Sequence, residues 1–271
     1  MTAIVQSILI LVMSFNIRYA SHHDGINSWD NRKDIVINLI KEHSPDLLGM
    51  QEVRGEQRSY LDEHLKEYTS YSQSRTEDPN DEASPIFFKK DRFELINSDT
   101  FWLSETPDKP SKGWDAAFNR IVTWCKLKDR ETGKTFFYFN THFDHIGEQA
   151  RLESVKLLKK TVKEITGSYD YIITGDFNSD PSSKYYNELI LQDTSSALLM
   201  DVSQFSEETK KQIKGTFNEF DSSKDAIGPI DYIFVKPTIS VKSFEVIDTL
   251  YNGRFPSDHF PVKALLELNA E

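Results

Sequence analysis

The spacing of apolar and polar residues changes several times between a strand-like and a helix-like pattern. The apolar run at Ile8–Asn16 predicts a buried strand, and the stretch 31–43 predicts a helix because Ile35, Val36, Leu39 and Ile40 fall on one helical face. A second apolar run at 47–50 predicts another strand, and a helix is expected at 56–65. The first part of the chain therefore mixes both kinds of element.

The remaining pattern consists mostly of strands with a few helices between them. Strands are predicted at 86–89, 93–98, 120–128, 135–141, 171–174, 230–235, 241–247 and 262–268, and helices at 147–166 and 183–192. The segment 129–133 is a good hairpin connection, so the middle strands are predicted to be antiparallel. We therefore predict an α/β fold of the α+β kind, a four-layer sandwich in which two mainly antiparallel β-sheets pack face to face and are flanked by helices.

The chain shows no sign of division into parts. It has no internal repeat, no low-complexity tract and no long glycine or serine linker, so we predict one domain over residues 1–271 and expect a monomer. The apolar run near the start has no basic residues before it and is too short for a standard membrane span. We predict no transmembrane segment, take the cytoplasm as the default location and leave secretion with an atypical signal open.

Composition narrows the choice of partners. The chain has 32 Lys and Arg against 43 Asp and Glu, a formal net charge of −11. This charge disfavours long-range attraction of duplex DNA or an anionic membrane, although local basic groups and bound cations can reverse the field in a cleft. The single cysteine, Cys125, lies in an apolar context and is interpreted as a packed thiol.

Polar residues whose side chains can bind a metal ion or transfer a proton recur at the ends of the predicted strands. They are Asn16, Glu52, His142, Asp144, Asp176, Asn178, Asp231, Asp258 and His259. Each has an ordinary explanation when taken alone, since Asp and Asn after a strand often make local turns. Their number, together with the fact that strand ends can converge, favours a common site.

The residues around these positions form a recognisable series. The segments SFNIRY, GMQEV, NTHFDH, ITGDFNSDP, PIDYIFV and PSDHFPV, in this order, closely resemble the motifs of the endonuclease/exonuclease/phosphatase superfamily. The resemblance covers residues 12–265. It implies two packed β-sheets with a site at one edge of the sandwich, and hydrolysis of a phosphate ester with Mg²⁺ or Mn²⁺.

The resemblance also implies a role for each residue. Glu52 is the principal metal ligand, Asp258 joins or supports it, and Asn16 lies beside the metal. Asp176 orients or deprotonates the attacking water, Asn178 holds a phosphoryl oxygen, His259 is aligned by Asp231 and contacts the phosphate, and His142 supplies a second imidazole. Carboxylate and amide oxygens suit Mg²⁺. One or two metal ions are both consistent with these residues, because Asp176, Asn178 and His259 can hold a second ion.

Other chemistries find less support in the sequence. The pairs His22–His23 and His142–His145 do not form a helical zinc motif, so zinc ranks below magnesium. The chain has neither a G-x-S-x-G elbow nor a glycine-rich phosphate loop. Phosphate chemistry, if present, is hydrolytic.

Candidate substrate contacts are Arg18, Arg120 and Asp144. A guanidinium group can hold two phosphate oxygens, but Arg120 pairing with a surface acid is an equal alternative. Trp114 either stacks on a substrate ring or packs under a loop. Arg18 replaces an acid found in nuclease relatives, and the stretches 72–84 and 203–225 are predicted loops that set specificity.

Three functions follow from these observations. The first is a metal-dependent phosphodiesterase or phosphatase acting on a small or lipid-derived phosphate ester by in-line attack of an activated water. The second is a nuclease or deadenylase-like enzyme on single-stranded nucleic acid, which the net charge does not favour. The third is a non-enzymatic binding module, ranked last because every expected type of site residue is present.

Overall fold

Two six-stranded β-sheets form the framework of the protein. The structure is a computed structural model, and it describes residues 7–193, 195–205 and 215–269. The first sheet contains β1 (Ile8–Asn16), β2 (Leu47–Gln51), β3 (Tyr68–Tyr71), β4 (Ile86–Lys89), β11 (Ser240–Val246) and β12 (Val262–Leu268), in the spatial order β11-β12-β1-β2-β4-β3. The second contains β5 (Phe93–Trp102), β6 (Ile121–Asp129), β7 (Thr135–His142), β8 (Asp170–Asp176), β9 (Met200–Asp201) and β10 (Asp231–Val235), in the order β5-β6-β7-β8-β10-β9.

Four α-helices lie among these strands. They are α1 (Trp29–His43), α2 (Gly55–His64), α3 (Glu148–Thr166) and α4 (Lys184–Ile190). Because α1 connects β1 to β2 and α3 connects β7 to β8, these two strand pairs run parallel, while the other pairings within the sheets are antiparallel. The predicted sandwich of two mainly antiparallel sheets flanked by helices is confirmed, with one parallel pair in each sheet.

Several element boundaries differ from the sequence prediction for identifiable reasons. The strand predicted at 93–98 continues to Trp102. Its register shifts between Leu95 and Asn97, and the polar residues that follow interrupt the alternation of apolar and polar positions from which a strand is predicted. The strands β3 and β9 were not predicted, because β3 has the polar sequence YTSY and β9 is two residues long. In the predicted loop 203–225, residues 206–214 lie outside the described part, and Phe217 forms bridges with Ile227 and His259.

The core is divided into layers that follow the sheets. One buried apolar cluster lies between the two sheets and includes Ile10, Val12, Tyr138 and Ile172. A second packs α3 and α4 on the outer face of β6–β8 and β10, and a third packs α1 and α2 on the outer face of β1, β2 and β4. Cys125 is buried in the central cluster, which confirms its interpretation as a packed thiol.

A buried polar network joins the sheets close to one end of the sandwich. Nδ2 of Asn140 donates to the carbonyl oxygens of Met50, at 2.6 Å, and Pro85, at 3.0 Å. Its Oδ1 accepts from Nε2 of Gln51 at 2.7 Å and from Oγ1 of Thr174 at 3.0 Å. These bonds run from β7 to β2 and β8, so they hold the two sheets in one relative position.

The described residues contain no helix that is both long enough and apolar enough to cross a membrane.

Candidate active site

Strand register explains how distant residues meet. His142, the last residue of β7, is paired with Asp176 at the end of β8, and Asp176 is paired with Asp231 at the start of β10. Three neighbouring strands thus place an imidazole and two carboxylates in one row at the edge of the second sheet. In the first sheet Asn16 is paired with Gln51, which brings it beside Glu52.

These strand ends surround a pocket of about 510 Å³. Its lining combines acids, cations and aromatic rings: Arg18, Tyr19, Glu52, Arg54, Arg75, Glu82, Phe118, Arg120, His142, His145, Asp176, Asn178, Phe217, Ile230, Asp258 and His259. Asn16 and Asp231 are buried behind this surface and contact its residues. The structure therefore brings together the residues for which the sequence predicts metal binding and catalysis.

Two turns present their side chains through an unusual backbone conformation. Glu52 has a φ of 63° and Asn178 a φ of 46°, in the left-handed region that few residues other than glycine adopt. Asn tolerates this region, but Glu does so at a cost of about 1–3 kcal/mol. The carboxylate of Glu52 is fixed in turn by the backbone N–H of Tyr19, at 3.0 Å, and by Nδ2 of Asn16, at 3.1 Å.

His259 and Asp231 form a buried hydrogen-bonded pair. Nδ1 of His259 lies 2.9 Å from Oδ2 of Asp231, while Nε2 faces Asp176 with a distance of 3.8 Å to Oδ2. Burial alone would lower the pKa of His259, but Asp231, followed by Asp176 and Asp258, raises it well above the usual imidazole value. His259 is therefore a cation at neutral pH, with its Nε2–H available to the pocket.

Asp176 has an environment suited to a base that works near neutral pH. Burial, reinforced by the neighbouring charge of Asp231, raises its pKa to about 7. Its oxygens accept from Nδ2 of Asn16 at 3.0 Å and from the backbone N–H of Asn178 at 2.9 Å. The carboxylate is thus held in place by neutral donors, and its proton affinity is high.

His142 differs from His259 in charge. Burial, followed by the positive charges of Arg120 and His259, lowers the pKa of His142 well below its usual value, so this ring is neutral. Nδ2 of Asn178 donates to Nε2 of His142 at 3.1 Å and to the carbonyl oxygen of Phe143 at 3.0 Å. Asn178 therefore orients His142, and its predicted contact with a phosphoryl oxygen stays a prediction.

The donor set fits a divalent cation at Glu52 and Asp258. Both carboxylates line the pocket, and burial, together with the negative charge of Glu52, raises the pKa of Asp258 against the opposing charge of His259. Such a pair of hard oxygen ligands suits Mg²⁺ or Mn²⁺. Asn16 does not complete this set in the same way, because its Oδ1 accepts the backbone N–H of Arg18 at 3.0 Å and its amide nitrogen faces the carboxylates.

A second group of potential ligands lies beside the first. Ligand atoms of Asp176, Asp231 and His259 lie within 4.8 Å of one another, and Oδ1 of Asp231 is buried without a hydrogen-bond partner in the described part of the chain. The hydrogen bond between His259 and Asp231 occupies two of the ligand atoms in this group. The metal position at Glu52 and Asp258 that the sequence indicates therefore stays a prediction.

The three candidate substrate contacts occupy different places. Arg18 lines the pocket between Asp24, at 3.0 Å, and Asp258, at 3.7 Å. Arg120 also lines it, and its Nε lies 3.4 Å from Oδ1 of a buried acid, Asp144, rather than from a surface acid. Asp144 lies behind Arg120 and accepts backbone N–H groups of 117, 146 and 147, so it positions this loop, and its contact with substrate stays a prediction.

The pocket also contains residues that sequence reasoning did not select. Arg54 lines it without an ion pair to any described residue, and its guanidinium lies 5.0 Å from the ring of Tyr19. Arg75 and Glu82 enter from the stretch 72–84, which had been predicted only as a loop. Arg54 could have been predicted as a pocket residue from the sequence, because it follows Glu52 by two residues. Trp114, by contrast, is absent from the residues that line the pocket.

Comparison with known proteins identifies the class. Residues 13–259 match the model of the Endonuclease/Exonuclease/phosphatase family, and the chain belongs to this family. A family protein from Bacteroides thetaiotaomicron is 35% identical with a TM-score of 0.89, and the match covers 97% of this chain and 99% of that one. The mannosyl-6-phosphatase of Bacteroides thetaiotaomicron VPI-5482 is also 35% identical, with a TM-score of 0.86 and coverage of 95% and 99%. An uncharacterized protein of Acanthamoeba polyphaga mimivirus is 27% identical over 94% of this chain and 99% of its own length.

Proposed function

We propose that this protein is a Mg²⁺- or Mn²⁺-dependent hydrolase that cleaves a phosphate ester by in-line attack of an activated water. The observation that carries the proposal is the convergence, in one pocket, of carboxylates from Glu52 and Asp258, a base at Asp176 and a cationic His259. Phosphate-ester hydrolysis needs charge neutralisation, an aligned water and a proton acceptor. The pocket contains a group for each of these needs.

Each protein group has a task that its surroundings support. Glu52 and Asp258 would hold a divalent cation, which would supply Lewis-acid stabilisation of the phosphoryl oxygens. Asp176 accepts the proton of the attacking water, because its raised pKa increases its basicity while Asn16 fixes one oxygen. His259 donates its Nε2–H to a phosphoryl oxygen, and Asp231 keeps the ring oriented and charged.

The substrate class that fits best is a small phosphate monoester. The pocket volume of about 510 Å³ accommodates a compact molecule, and the net charge of −11 disfavours a long polyanion. The similarity to a mannosyl-6-phosphatase, which covers nearly the whole of both chains, supports a phosphorylated sugar. Cleavage of single-stranded nucleic acid is the alternative, and it is less favoured.

Phosphate release across three substrates tests the proposal. Mannose 6-phosphate, bis-p-nitrophenyl phosphate and a single-stranded oligonucleotide are incubated with wild-type protein and Mg²⁺ or Mn²⁺, with and without EDTA. We expect the highest turnover on mannose 6-phosphate, loss of turnover with EDTA, and a decrease of about 100-fold or more in Glu52→Ala and His259→Ala.

The control is Glu94→Gln, since Glu94 is exposed on β5, outside the residues that line the pocket, and its carboxylate lies 3.9 Å from Nη1 of Arg130. This variant should hydrolyse the substrates at the wild-type rate. Identical, EDTA-insensitive rates in wild type and both site variants would overturn the proposal, and preferential cleavage of the oligonucleotide would replace it by the nuclease alternative.

A further inference from the structure

One wall of the pocket has no task in the proposed chemistry. It is formed by Arg75, Glu82, Phe118, Arg120 and His145, which we call the Glu82 wall. A small cavity of about 10 Å³ is lined by Glu52, Glu82 and His142 together with other residues, so the wall directly adjoins the catalytic groups. Any substrate whose phosphate lies at His259 and Glu52 can therefore extend its remaining part along this wall.

The charges of the wall do not suit a second anionic group. Nη2 of Arg75 lies 3.1 Å from Asp81, and its Nη1 lies 2.8 Å from Oε2 of Glu82. Arg120 is paired with Asp144 at 3.4 Å. Two guanidinium groups thus face three carboxylates, so the wall carries no surplus positive charge, and it opposes another phosphate or a nucleic-acid backbone.

Glu82 offers a fixed acceptor to the pocket. Its side chain is only 12% exposed, and Arg75 holds Oε2 in place. The other oxygen, Oε1, accepts no hydrogen bond from residues 7–193, 195–205 or 215–269, and it is not among the fully buried atoms that lack a partner. A carboxylate oxygen that is nearly buried, oriented and still accessible is suited to accept a hydrogen bond from a neutral hydroxyl group.

His145 supplies a donor on the same wall. Nη2 of Arg120 lies 3.1 Å from Nδ1 of His145, and because arginine can only donate, Nδ1 accepts and the ring proton lies on Nε2. The ring stacks on Phe118 with 6.0 Å between centroids and an interplanar angle of 14°. Phe118 itself is 47% exposed, which leaves apolar surface for the C–H groups of a ligand.

We propose that the Glu82 wall is a binding subsite for the hydroxyl groups of a neutral, polyhydroxylated leaving group, such as a sugar ring. Acceptor, donor and apolar surface occur together there, as recognition of a sugar requires. The inference rests on the proposed phosphate-ester chemistry and adds the residues that select the alcohol part of the substrate. Glu82 and His145 are specificity residues on this view and take no part in bond cleavage.

Two matched substrates test the subsite. Mannose 6-phosphate and cyclohexylmethyl phosphate both carry phosphate on a primary carbon attached to a six-membered ring, but the second has no hydroxyl groups. In Glu82→Gln the amide oxygen remains bound to the donor-only Arg75, so an NH₂ group replaces Oε1 and an acceptor becomes a donor. We expect kcat/KM on mannose 6-phosphate to fall about 10- to 100-fold, with a change below about threefold on cyclohexylmethyl phosphate.

A second variant and a control make the result specific. His145→Phe keeps the stacking on Phe118 and removes the ring N–H, and we expect a smaller loss, about 3- to 10-fold, on mannose 6-phosphate alone. Glu94→Gln should leave kcat/KM unchanged on both substrates. Equal losses on the two substrates in Glu82→Gln, or no loss on either, would overturn the inference.

Failure of the proposed chemistry can be separated from failure of the subsite. If wild-type protein releases phosphate from neither substrate, the proposed phosphate-ester chemistry is wrong. A binding experiment then tests whether the Glu82 wall is a subsite. Saturation-transfer NMR with methyl α-D-mannopyranoside should show ligand signals with wild type that are lost with Glu82→Gln. Absence of signals with wild type, or equal signals with both proteins, would overturn the subsite.

Discussion

At the scale of single residues, Asp231 acts without reaching the pocket. Its Oδ2 lies behind His259, 2.9 Å from Nδ1, so in the reaction proposed above Asp231 would act only through the orientation and charge of that ring. In Asp231→Asn the size of the side chain is kept and the negative charge is lost. We predict that kcat on mannose 6-phosphate falls about 100-fold or more while KM changes less than about threefold, as steady-state kinetics can measure.

Asp170→Asn is the matched control for this change. Asp170 begins β8 at the opposite end from Asp176 and accepts a hydrogen bond from Oγ1 of Thr238 at 2.7 Å. Its substitution should leave kcat unaltered. Wild-type kcat in Asp231→Asn, or an equal decrease in both variants, would contradict the assigned role.

Arg54 is the pocket guanidinium without an ion pair to a described residue, so it is free to bind an anion. We predict that Arg54→Ala raises the inhibition constant of inorganic phosphate about 10-fold or more, because a hydrogen bond to a charged group contributes about 1.5–3 kcal/mol. Arg130→Ala removes an exposed guanidinium outside the pocket and should leave this constant unchanged. An unchanged constant in Arg54→Ala would show that Arg54 does not contact the phosphate.

At the scale of elements, the apolar pattern was sufficient to predict both a strand buried along most of its length, such as Ile86–Lys89, and the strand Val262–Leu268, in which buried and half-buried residues alternate. The observed bounds of Ile8–Asn16, Ile86–Lys89 and Val262–Leu268 equal the predicted ones. The edge strands β3 and β9 were missed because they are short and their pairing depends on partners distant in sequence. Propensity within a short polar segment carries no information about such partners.

The site shows the same division between local and tertiary information. Motif resemblance indicated which residues follow the strands, but the pairing of His142, Asp176 and Asp231 in one row is a property of sheet register. Glu82 could not be selected, because the stretch 72–84 has no apolar period and its approach to Glu52 follows from packing. Sequence reasoning therefore yields the chemistry of a site more readily than the surface that selects its substrate.

The polar network between the sheets leads to a prediction about stability. Removing the side chain in Asn140→Ala takes the amide donor away from the carbonyl oxygen of Met50. It also removes the bonds to the carbonyl oxygen of Pro85, which still accepts the backbone N–H of Met50, and to the amide of Gln51, which still donates to Oγ of Ser14. Because an unsatisfied buried polar group costs about 1–3 kcal/mol and each further lost hydrogen bond about 0.5–1.5 kcal/mol, we predict a decrease of about 3 kcal/mol in the free energy of unfolding, measured by urea denaturation.

Asn97→Ala is the control, since Asn97 lies exposed on β5 and its Oδ1 accepts the backbone N–H of the adjacent Ser98 at 2.9 Å. This variant should change the free energy of unfolding by less than about 0.5 kcal/mol. Similar losses in both variants would mean that the network between β2, β7 and β8 does not stabilise the sandwich.

At the scale of the whole molecule, the two sheets share one core and should unfold together. The strand β1 pairs with β12 over seven positions, so the beginning and the end of the described chain are joined in the same sheet. The apolar cluster between the sheets and the hydrogen bonds of Asn140 link that sheet to the second one. We therefore predict a single domain with one cooperative unfolding transition.

Three probes placed in different parts of the fold can test this cooperativity. Tryptophan fluorescence reports on Trp29 of α1 and on Trp102 and Trp124 of the second sheet, far-UV circular dichroism reports on all elements, and thiol labelling reports on the buried Cys125. The three urea midpoints should coincide in wild type and should shift together in Asn140→Ala, because that residue bridges the sheets. Exposure of Cys125 at a lower urea concentration than the loss of circular dichroism would instead show that the second sheet opens separately from the first.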